Sequence, residues 1–139
     1  MGLRRNSRIY VDTNLFIYYF ESNPHFVEKV DNLFKESIEK DVVLICSELL
    51  YLELLVVPFK DKNSTAVDLY ENIENYIPNL NLIPITKEIL IGASKMRADF
   101  KCKSPDAIHL STAKVEKCQT YYGSDKSLKS FKSIEVSII

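Results

Sequence analysis

The stretch Ile9-Tyr10-Val11-Asp12-Thr13-Asn14 begins as an apolar run of strand-forming residues and ends in a polar triplet. β-branched and aromatic side chains favour strands, whereas Asp, Thr and Asn favour turns. The stretch therefore predicts a buried strand over Ile9–Val11, followed by a turn that places Asp12 at the carboxyl end of the strand. A carboxylate without a partner is costly to bury, so Asp12 requires an explanation.

Similar apolar runs alternate along the chain with segments of helical spacing. Helices are predicted from Asn23-Pro24, from Ser47, over Ser64–Ile77, after Thr86 and from Ser104-Pro105-Asp106, each opened by residues that favour a helix N-terminus. Strands alternating with helices predict an α/β domain with a mostly parallel sheet, and we see no linker within residues 1–139. The other predicted strands are Val42–Ile45, Leu80–Ile85, Thr120–Gly123 and Glu135–Ile138.

Glu53 interrupts the otherwise apolar helix that follows Ser47. Its position matches the i, i+3, i+4 spacing of the apolar residues, so Glu53 is predicted on the buried stripe. A charge on such a stripe needs a partner, which is either a shared functional site or a buried ion pair with a Lys or Arg. Pro58 favours an end or a kink just before it. The stripe consists of Leu49, Leu52, Glu53, Val56 and Val57.

Four acidic residues that are distant in sequence are expected to meet at one edge of the sheet. Asp12 and Asp125 directly follow strands, and ligand sites of parallel sheets lie outside the carboxyl ends of strands. Asp106 lies in the first turn of a helix and Glu53 in the second turn of another. Two carboxylates about 4 Å apart repel by roughly 4 kcal/mol at an effective dielectric of about 20. A bound Mg²⁺ or Mn²⁺ would relieve that repulsion and suits phosphodiester hydrolysis.

The motifs that carry these residues resemble, in order, those of the PIN domain family, and within it the VapC-type ribonuclease toxins. They are Val11-Asp12-Thr13-Asn14, Ser47 leading to Glu53, Ser104–Ala113 (Ser-Pro-Asp-Ala-Ile-His-Leu-Ser-Thr-Ala), and Gly123-Ser124-Asp125. The resemblance covers essentially the whole chain. It implies a three-layer α/β/α domain, Mg²⁺- or Mn²⁺-dependent endoribonuclease activity as the toxin of a type II toxin-antitoxin pair, homodimerisation and inhibition by a cognate antitoxin.

The resemblance also assigns roles to residues, and this chain departs from the family pattern at one position. It makes Asp12, Glu53, Asp106 and Asp125 the catalytic and metal-binding residues. The family usually has Thr two residues before its last Asp, where this chain has Gly123. Ser124 is the candidate for supplying the missing hydroxyl, with Asn14 as a second supporting residue.

Each candidate also has an ordinary structural explanation. Asp12 and Asp125 would serve as turn or capping residues, and Asp106 would complement the dipole of its helix. His109 lies three residues after Asp106, so it could support a metal ligand indirectly, but a packed, hydrogen-bonded histidine is the favoured interpretation. The shared position of the four carboxylates favours the metal site over these alternatives.

The composition limits how the chain could bind RNA. With a formal net charge of -1, binding to nucleic acid must come from a local patch. Lys95, Arg97, Lys101 and Lys103 precede the Asp106 helix and could contact phosphates, although a solvated surface explains them equally well.

Cysteine spacing and hydropathy predict where the protein resides. Cys46, Cys102 and Cys118 predict neither a disulfide framework nor a zinc site, and they suit a reducing cytoplasm. No apolar run approaches the length of a membrane span.

Other functions remain as alternatives. The main one is a PIN-like module that binds RNA or protein without cleaving. A phosphatase of the Asp-x-Asp type is disfavoured because Asn14 stands at the second acidic position. A phosphoacceptor receiver domain is disfavoured because Asp12 has no acidic neighbour.

Overall fold

Five parallel strands form one sheet that positions the acidic residues. In this computed structural model, which describes residues 2–139, the sheet has the order β3-β2-β1-β4-β5, and every neighbouring pair is parallel. The predicted α/β/α fold with a parallel sheet is therefore confirmed. The strands are β1 (Arg8–Val11), β2 (Val43–Ser47), β3 (Leu80–Ile83), β4 (Thr120–Gly123) and β5 (Glu135–Ile138).

Helices connect the strands, as parallel strands require. Two short 3₁₀ helices, Ile73–Asn75 and Lys126–Ser130, follow α4 and β4 respectively. The α-helices are α1 (Thr13–Phe20), α2 (Val27–Glu39), α3 (Leu49–Lys60), α4 (Ser64–Glu71), α5 (Lys87–Asp99) and α6 (Ser104–Val115).

The core is centred on β1 and its two neighbours. Tyr10 of β1 and Tyr121 of β4 are register partners, both fully buried, with stacked rings whose centroids lie 5.1 Å apart. Strands buried on both faces are typical of parallel sheets covered by helices. Two buried tyrosine hydroxyls therefore lie in the interior, where each needs a hydrogen-bond partner.

Two helix starts differ from the prediction. The triplet Asp12–Asn14 opens α1 rather than forming a turn, because the Asp12 carboxylate accepts a hydrogen bond from the Asn14 N–H at 3.3 Å and caps the helix. Helix α2 begins at Val27, three residues after Pro24, because Asn23 first closes a turn through its side chain and carbonyl.

The predicted buried face of α3 was wrong. Leu49, Leu50, Leu54 and Pro58 are the buried residues, whereas Leu52, Glu53, Val56 and Val57 of the predicted stripe are exposed. The helix is apolar on nearly every side, so the spacing of apolar residues could not select a face. The helix does not end just before Pro58 but continues to Lys60, because the proline removes only its own N–H.

The remaining differences are at element ends. Helix α4 ends at Glu71, before the predicted Ile77, and β3 ends at Ile83, where Pro84 cannot continue the ladder. Ser47 ends β2 instead of standing outside it, although its hydroxyl still accepts a hydrogen bond from the Leu49 N–H at 3.0 Å. Thr86 caps α5 as predicted, whereas Ser104 is the first residue of α6 and makes no capping bond. Strands β4 and β5 match their predicted bounds.

Candidate functional site

The acidic residues lie where the chain reverses its direction across the sheet. The chain adds β2 and β3 on one side of β1, and then β4 and β5 on the other. A crevice forms at the carboxyl ends of strands on either side of such a reversal. Asp12 directly follows β1, and Ser124-Asp125 directly follow β4, so both segments border this crevice.

Asp12 is the most buried of the four carboxylates. It is 7% exposed, and it accepts hydrogen bonds from the Asn14 N–H at 3.3 Å and the Tyr121 hydroxyl at 3.2 Å. Burial raises the pKa of Asp12, and the nearby Glu53 charge raises it further, while His109 and the two hydrogen bonds lower it in part. The Asp12 carboxylate is thus held in place at the cost of desolvation.

Asp106 lies in the first turn of α6, and its carboxylate accepts no hydrogen bond from any described residue. Burial raises the pKa of Asp106, and the charges of Asp12, Asp125 and Glu53 raise it further. Mutual repulsion of this kind requires that the four carboxylates lie near one another.

The four carboxylates are close, but they do not form a tight cage. Across residues 2–139, no group of three or more His, Cys, Asp or Glu side chains is arranged closely enough to hold a metal ion. The donors nevertheless suit Mg²⁺ or Mn²⁺, which prefer carboxylate oxygens and retain several water ligands. The chemistry of the donor set therefore fits such an ion, with Asp106 the carboxylate that is freest of other partners.

Glu53 is held from the inside of the fold rather than by a Lys or Arg. Its Oε1 accepts hydrogen bonds from the Thr13 hydroxyl at 2.8 Å and from Nε2 of His109 at 2.6 Å. The side chain remains 31% exposed. Burial raises the pKa of Glu53, but the hydrogen bonds from His109 and Thr13 outweigh burial and lower it.

His109 connects the acidic site to the core. It is 1% exposed, and its Nδ1 lies 2.5 Å from the Tyr10 hydroxyl. Burial alone would lower the pKa of His109, but contact with the Cys46 sulfur and the hydrogen bond to Glu53 raise it to about 10. His109 is packed and hydrogen-bonded as predicted, but the sequence did not indicate that Glu53 is its partner. The i, i+3 spacing from Asp106 was the only signal of its proximity.

Asp125 and the two supporting residues lie on the outer side of the site. Asp125 is exposed and caps the following 3₁₀ helix by accepting hydrogen bonds from the Ser127 N–H and hydroxyl, which lower its pKa. The Asn14 amide donates a hydrogen bond to the Ser124 hydroxyl at 3.0 Å. Asn14 and Ser124 are therefore brought together next to Asp12 and Asp125.

The glycine at position 123 has a structural explanation. A Cβ added to Gly123 would lie 2.9 Å from Cε1 of Tyr121 and 3.3 Å from Oδ2 of Asp12. The first distance is too short for a real contact, so a side chain here would displace the Tyr121 ring. The hydroxyl that reaches Asp12 comes from Tyr121, a fully buried residue of β4.

The four basic candidates do not form one patch. Lys103 is close enough to Asp125 to lower its pKa, and Lys101 is exposed nearby in sequence. Arg97 donates hydrogen bonds to the Cys102 carbonyl at 3.1 Å and the Ser104 hydroxyl at 2.9 Å, so it holds the loop before α6. Lys95 points elsewhere, since it lines a groove of about 730 Å³ between α5 and α6 that contains none of the four carboxylates.

Comparison with known proteins identifies the family. The sequence model of the PIN domain matches residues 9–132, and the chain belongs to this family. Similar folds include VapBC2 from Rickettsia felis bound to promoter DNA, with 15% identity, 94% of this chain and 98% of that chain covered, and a TM-score of 0.75. Another is VapBC-1 from nontypeable Haemophilus influenzae, with 16% identity, 94% and 97% coverage, and a TM-score of 0.72.

A third similar fold is VapC20 of Mycobacterium tuberculosis, described as a toxin that cleaves the sarcin-ricin loop. The identity is 15%, the coverage is 91% of this chain and 98% of that chain, and the TM-score is 0.70. No curated protein is similar enough in sequence to count as a match. Within residues 2–139, no helix is long and apolar enough to cross a membrane.

Proposed function

We propose that the protein is a metal-dependent endoribonuclease in which Asp12, Glu53, Asp106 and Asp125 form the active site. The observation that carries this proposal is the raised pKa of Asp106, which burial and the charges of Asp12, Asp125 and Glu53 bring about together. Perturbed carboxylates that gather at the carboxyl edge of a parallel sheet are typical of functional sites. Membership of the PIN domain family supports the same conclusion.

Each side chain has a distinct part in the proposed mechanism. Asp12, Glu53, Asp106 and Asp125 would together hold Mg²⁺ or Mn²⁺ through their carboxylate oxygens. When bound, such an ion stabilises charge on a phosphoryl group and lowers the pKa of a water molecule. Thr13 and His109 keep Oε1 of Glu53 directed inward. Lys103, beside Asp125, is suited to contact an RNA phosphate at the entrance.

A cleavage assay on a mixed RNA pool tests the proposal. We expect the wild-type protein to produce discrete fragments with Mg²⁺ or Mn²⁺ and none with a chelator. Asp106→Asn keeps the shape of the side chain and removes the charge, so it should reduce cleavage by more than about 100-fold, beyond the usual loss for groups that only support a metal ligand. Binding of RNA by the wild-type protein without any cleavage would instead favour a non-catalytic PIN-like module.

We also propose that the protein is the toxin of a type II toxin-antitoxin pair. Support comes from the similar folds, several of which were solved as toxin-antitoxin complexes, including one from Klebsiella pneumoniae. A cognate antitoxin should cover the acidic site and stop cleavage at a stoichiometric ratio. Co-expression with the product of the adjacent open reading frame, followed by the cleavage assay, tests this. Full cleavage by a stable complex would contradict it.

Homodimerisation is a further part of the proposal, and the outer face of α3 supports it. Leu52, Val56, Val57 and Phe59 are each more than half exposed. Adjacent exposed apolar side chains of this kind mark interaction surfaces. We expect a dimer by analytical ultracentrifugation and a monomer for Leu52→Glu/Val56→Glu, with Lys132→Glu, an exposed change in the segment before the edge strand β5, as the control.

We propose a cytoplasmic location on the evidence of the cysteines. Cys46, Cys102 and Cys118 are unpaired in the structure, which suits a reducing cytoplasm. We also propose that residues 1–139 form one domain, since the family match spans residues 9–132.

A further inference from the structure

A continuous line of hydrogen bonds runs from the centre of the sheet to Glu53. The Ser47 N–H donates to the Tyr10 hydroxyl at 2.9 Å, and that hydroxyl lies 2.5 Å from Nδ1 of His109. On the opposite side of the ring, Nε2 of His109 lies 2.6 Å from Oε1 of Glu53. The line thus ties a side chain at the rim of the site to a fully buried tyrosine in β1.

The direction of the bond between His109 and Glu53 follows from its partners. A carboxylate can only accept, so Nε2 must carry a hydrogen that it donates to Oε1. If the ring is neutral, its Nδ1 then accepts from the Tyr10 hydroxyl. If the ring is charged, both nitrogens donate, and Nε2 still donates to Glu53. The Tyr10 hydroxyl can accept from or donate to Nδ1, so Nε2 of His109 donates its N–H to Glu53 in either protonation state of the ring.

Two donors converge on one oxygen of Glu53. The Thr13 hydroxyl also donates to Oε1 at 2.8 Å, while no described residue donates to Oε2. A glutamate has three side-chain torsions, and an exposed one samples many rotamers. Because Oε1 is held from two directions, the carboxylate is restricted to one orientation while Oε2 remains without a donor among the described residues.

We propose that His109, anchored by Tyr10, is a positioning residue that fixes Glu53 so that its free oxygen is available to a divalent cation; this rests on the proposed metal site. His109 itself touches neither the cation nor RNA. Partners that orient a metal ligand in this way typically affect metal affinity by 10–100-fold when they are removed. The other buried groups of α6 do not share the role: Ser111, two residues further on, donates to the Ile89 carbonyl of α5.

Calorimetric Mn²⁺ titration and melting temperatures together show whether His109 positions Glu53 or only stabilises the fold. His109→Gln can place an amide N–H near the position of Nε2, whereas His109→Asn reaches only the position of Nδ1. We expect His109→Gln to bind Mn²⁺ nearly as tightly as the wild-type protein, and His109→Asn at least about tenfold more weakly. Tyr10→Phe should also weaken binding, because it removes the anchor of the ring. Ser111→Ala removes a buried hydrogen bond from the same helix and serves as the control, with a lower melting temperature and unchanged Mn²⁺ affinity.

Nitrogen-15 spectroscopy of the imidazole rings tests the hydrogen bond itself in the metal-free wild-type protein. The chain has only two histidines, so His25→Gln assigns the signals of His109. We expect Nε2 of His109 to carry a slowly exchanging proton. This measurement needs no variant at position 109, so it decides the geometry even if His109→Asn does not fold.

The positioning role of His109 and the metal site can fail separately in these measurements. Wild-type affinity in both His109→Asn and Tyr10→Phe, or an unprotonated Nε2, would overturn the positioning role and leave the metal site standing. Loss of affinity in Ser111→Ala equal to that in His109→Asn would reduce the role to general support of the fold, which also overturns it. Failure of the wild-type protein to bind Mn²⁺ would overturn both proposals.

Discussion

The Tyr121 hydroxyl donates a hydrogen bond to the Asp12 carboxylate at 3.2 Å, across the junction of β4 and β1. Gly123 makes this contact possible, because a side chain there would meet both Cε1 of Tyr121 and Oδ2 of Asp12. A buried carboxylate at the end of a central strand is thereby given a second donor besides the Asn14 N–H. Gly123, which departs from the usual family pattern, thus leaves room for the Tyr121 ring whose hydroxyl binds Asp12.

Tyr121→Phe should therefore destabilise the metal-free protein. Hydrogen bonds to charged groups contribute roughly 1.5–3 kcal/mol, and the loss should fall in this range at neutral pH. The Tyr121 bond lowers the pKa of Asp12, so it favours the charged form. The destabilisation should be largest above the folded-state pKa of Asp12 and should shrink as the pH falls through it. Urea unfolding at several pH values measures this.

Tyr122→Phe is the matched control for that experiment. Tyr122 is the next residue of the same strand, and its hydroxyl has no hydrogen-bond partner among the described residues. An equal loss of stability in both variants would contradict the special role of Tyr121.

Asp106→Asn should stabilise the metal-free protein at neutral pH while it abolishes cleavage. Burial and the neighbouring carboxylates raise the folded-state pKa of Asp106 above its unfolded value of about 3.9. A raised carboxyl pKa contributes stability below the unfolded value, and this contribution is lost as the pH rises through the folded value. The charged form therefore costs stability at pH 7, and the asparagine variant avoids that cost. The advantage should disappear below about pH 4 in thermal melts with a chelator present.

Asp125→Asn provides a comparison, because the pKa of Asp125 is lowered whereas that of Asp106 is raised. The hydrogen bonds from Ser127 lower the pKa of Asp125, so its charge contributes stability that is present above the unfolded pKa and lost as the pH falls. This variant should be no more stable than the wild-type protein at pH 7. A melting temperature raised equally by Asp125→Asn and Asp106→Asn would show that the effect is not specific to the crowded carboxylate.

The sequence predicted the positions of the acidic residues better than the contacts that hold them. Asp12 and Asp125 were placed correctly because a short apolar run followed by an acidic residue marks the end of a strand, and β4 and β5 matched their predicted bounds. The buried face of α3 could not be predicted, because the helix is apolar on almost all sides. Glu53 was correctly expected to need a partner, but the partner is His109, on a helix 56 residues away, and no local pattern contains that information.

Basic residues near the site should determine the salt dependence of RNA binding. Lys101→Ala/Lys103→Ala should reduce the slope of log K against log salt by about 1.4, since each lost contact with single-stranded RNA contributes about 0.7. Lys87→Ala/Lys95→Ala removes the same charge from the groove between α5 and α6, and should leave the slope unchanged. Binding measured with a chelator avoids cleavage. An equal effect of both pairs would indicate a diffuse electrostatic contribution instead of a patch.

The most direct test of the central claim is the melting temperature as a function of Mn²⁺ concentration. A cation that binds only the native state stabilises it by about 2.7 kcal/mol at 100 times its dissociation constant. We predict a rising melting temperature for the wild-type protein and none for Asp12→Asn/Asp106→Asn, although that variant should match or exceed the wild-type protein in chelator. A wild-type melting temperature that does not change with millimolar Mn²⁺, or an equal rise in the double variant, would contradict a metal site built from these carboxylates.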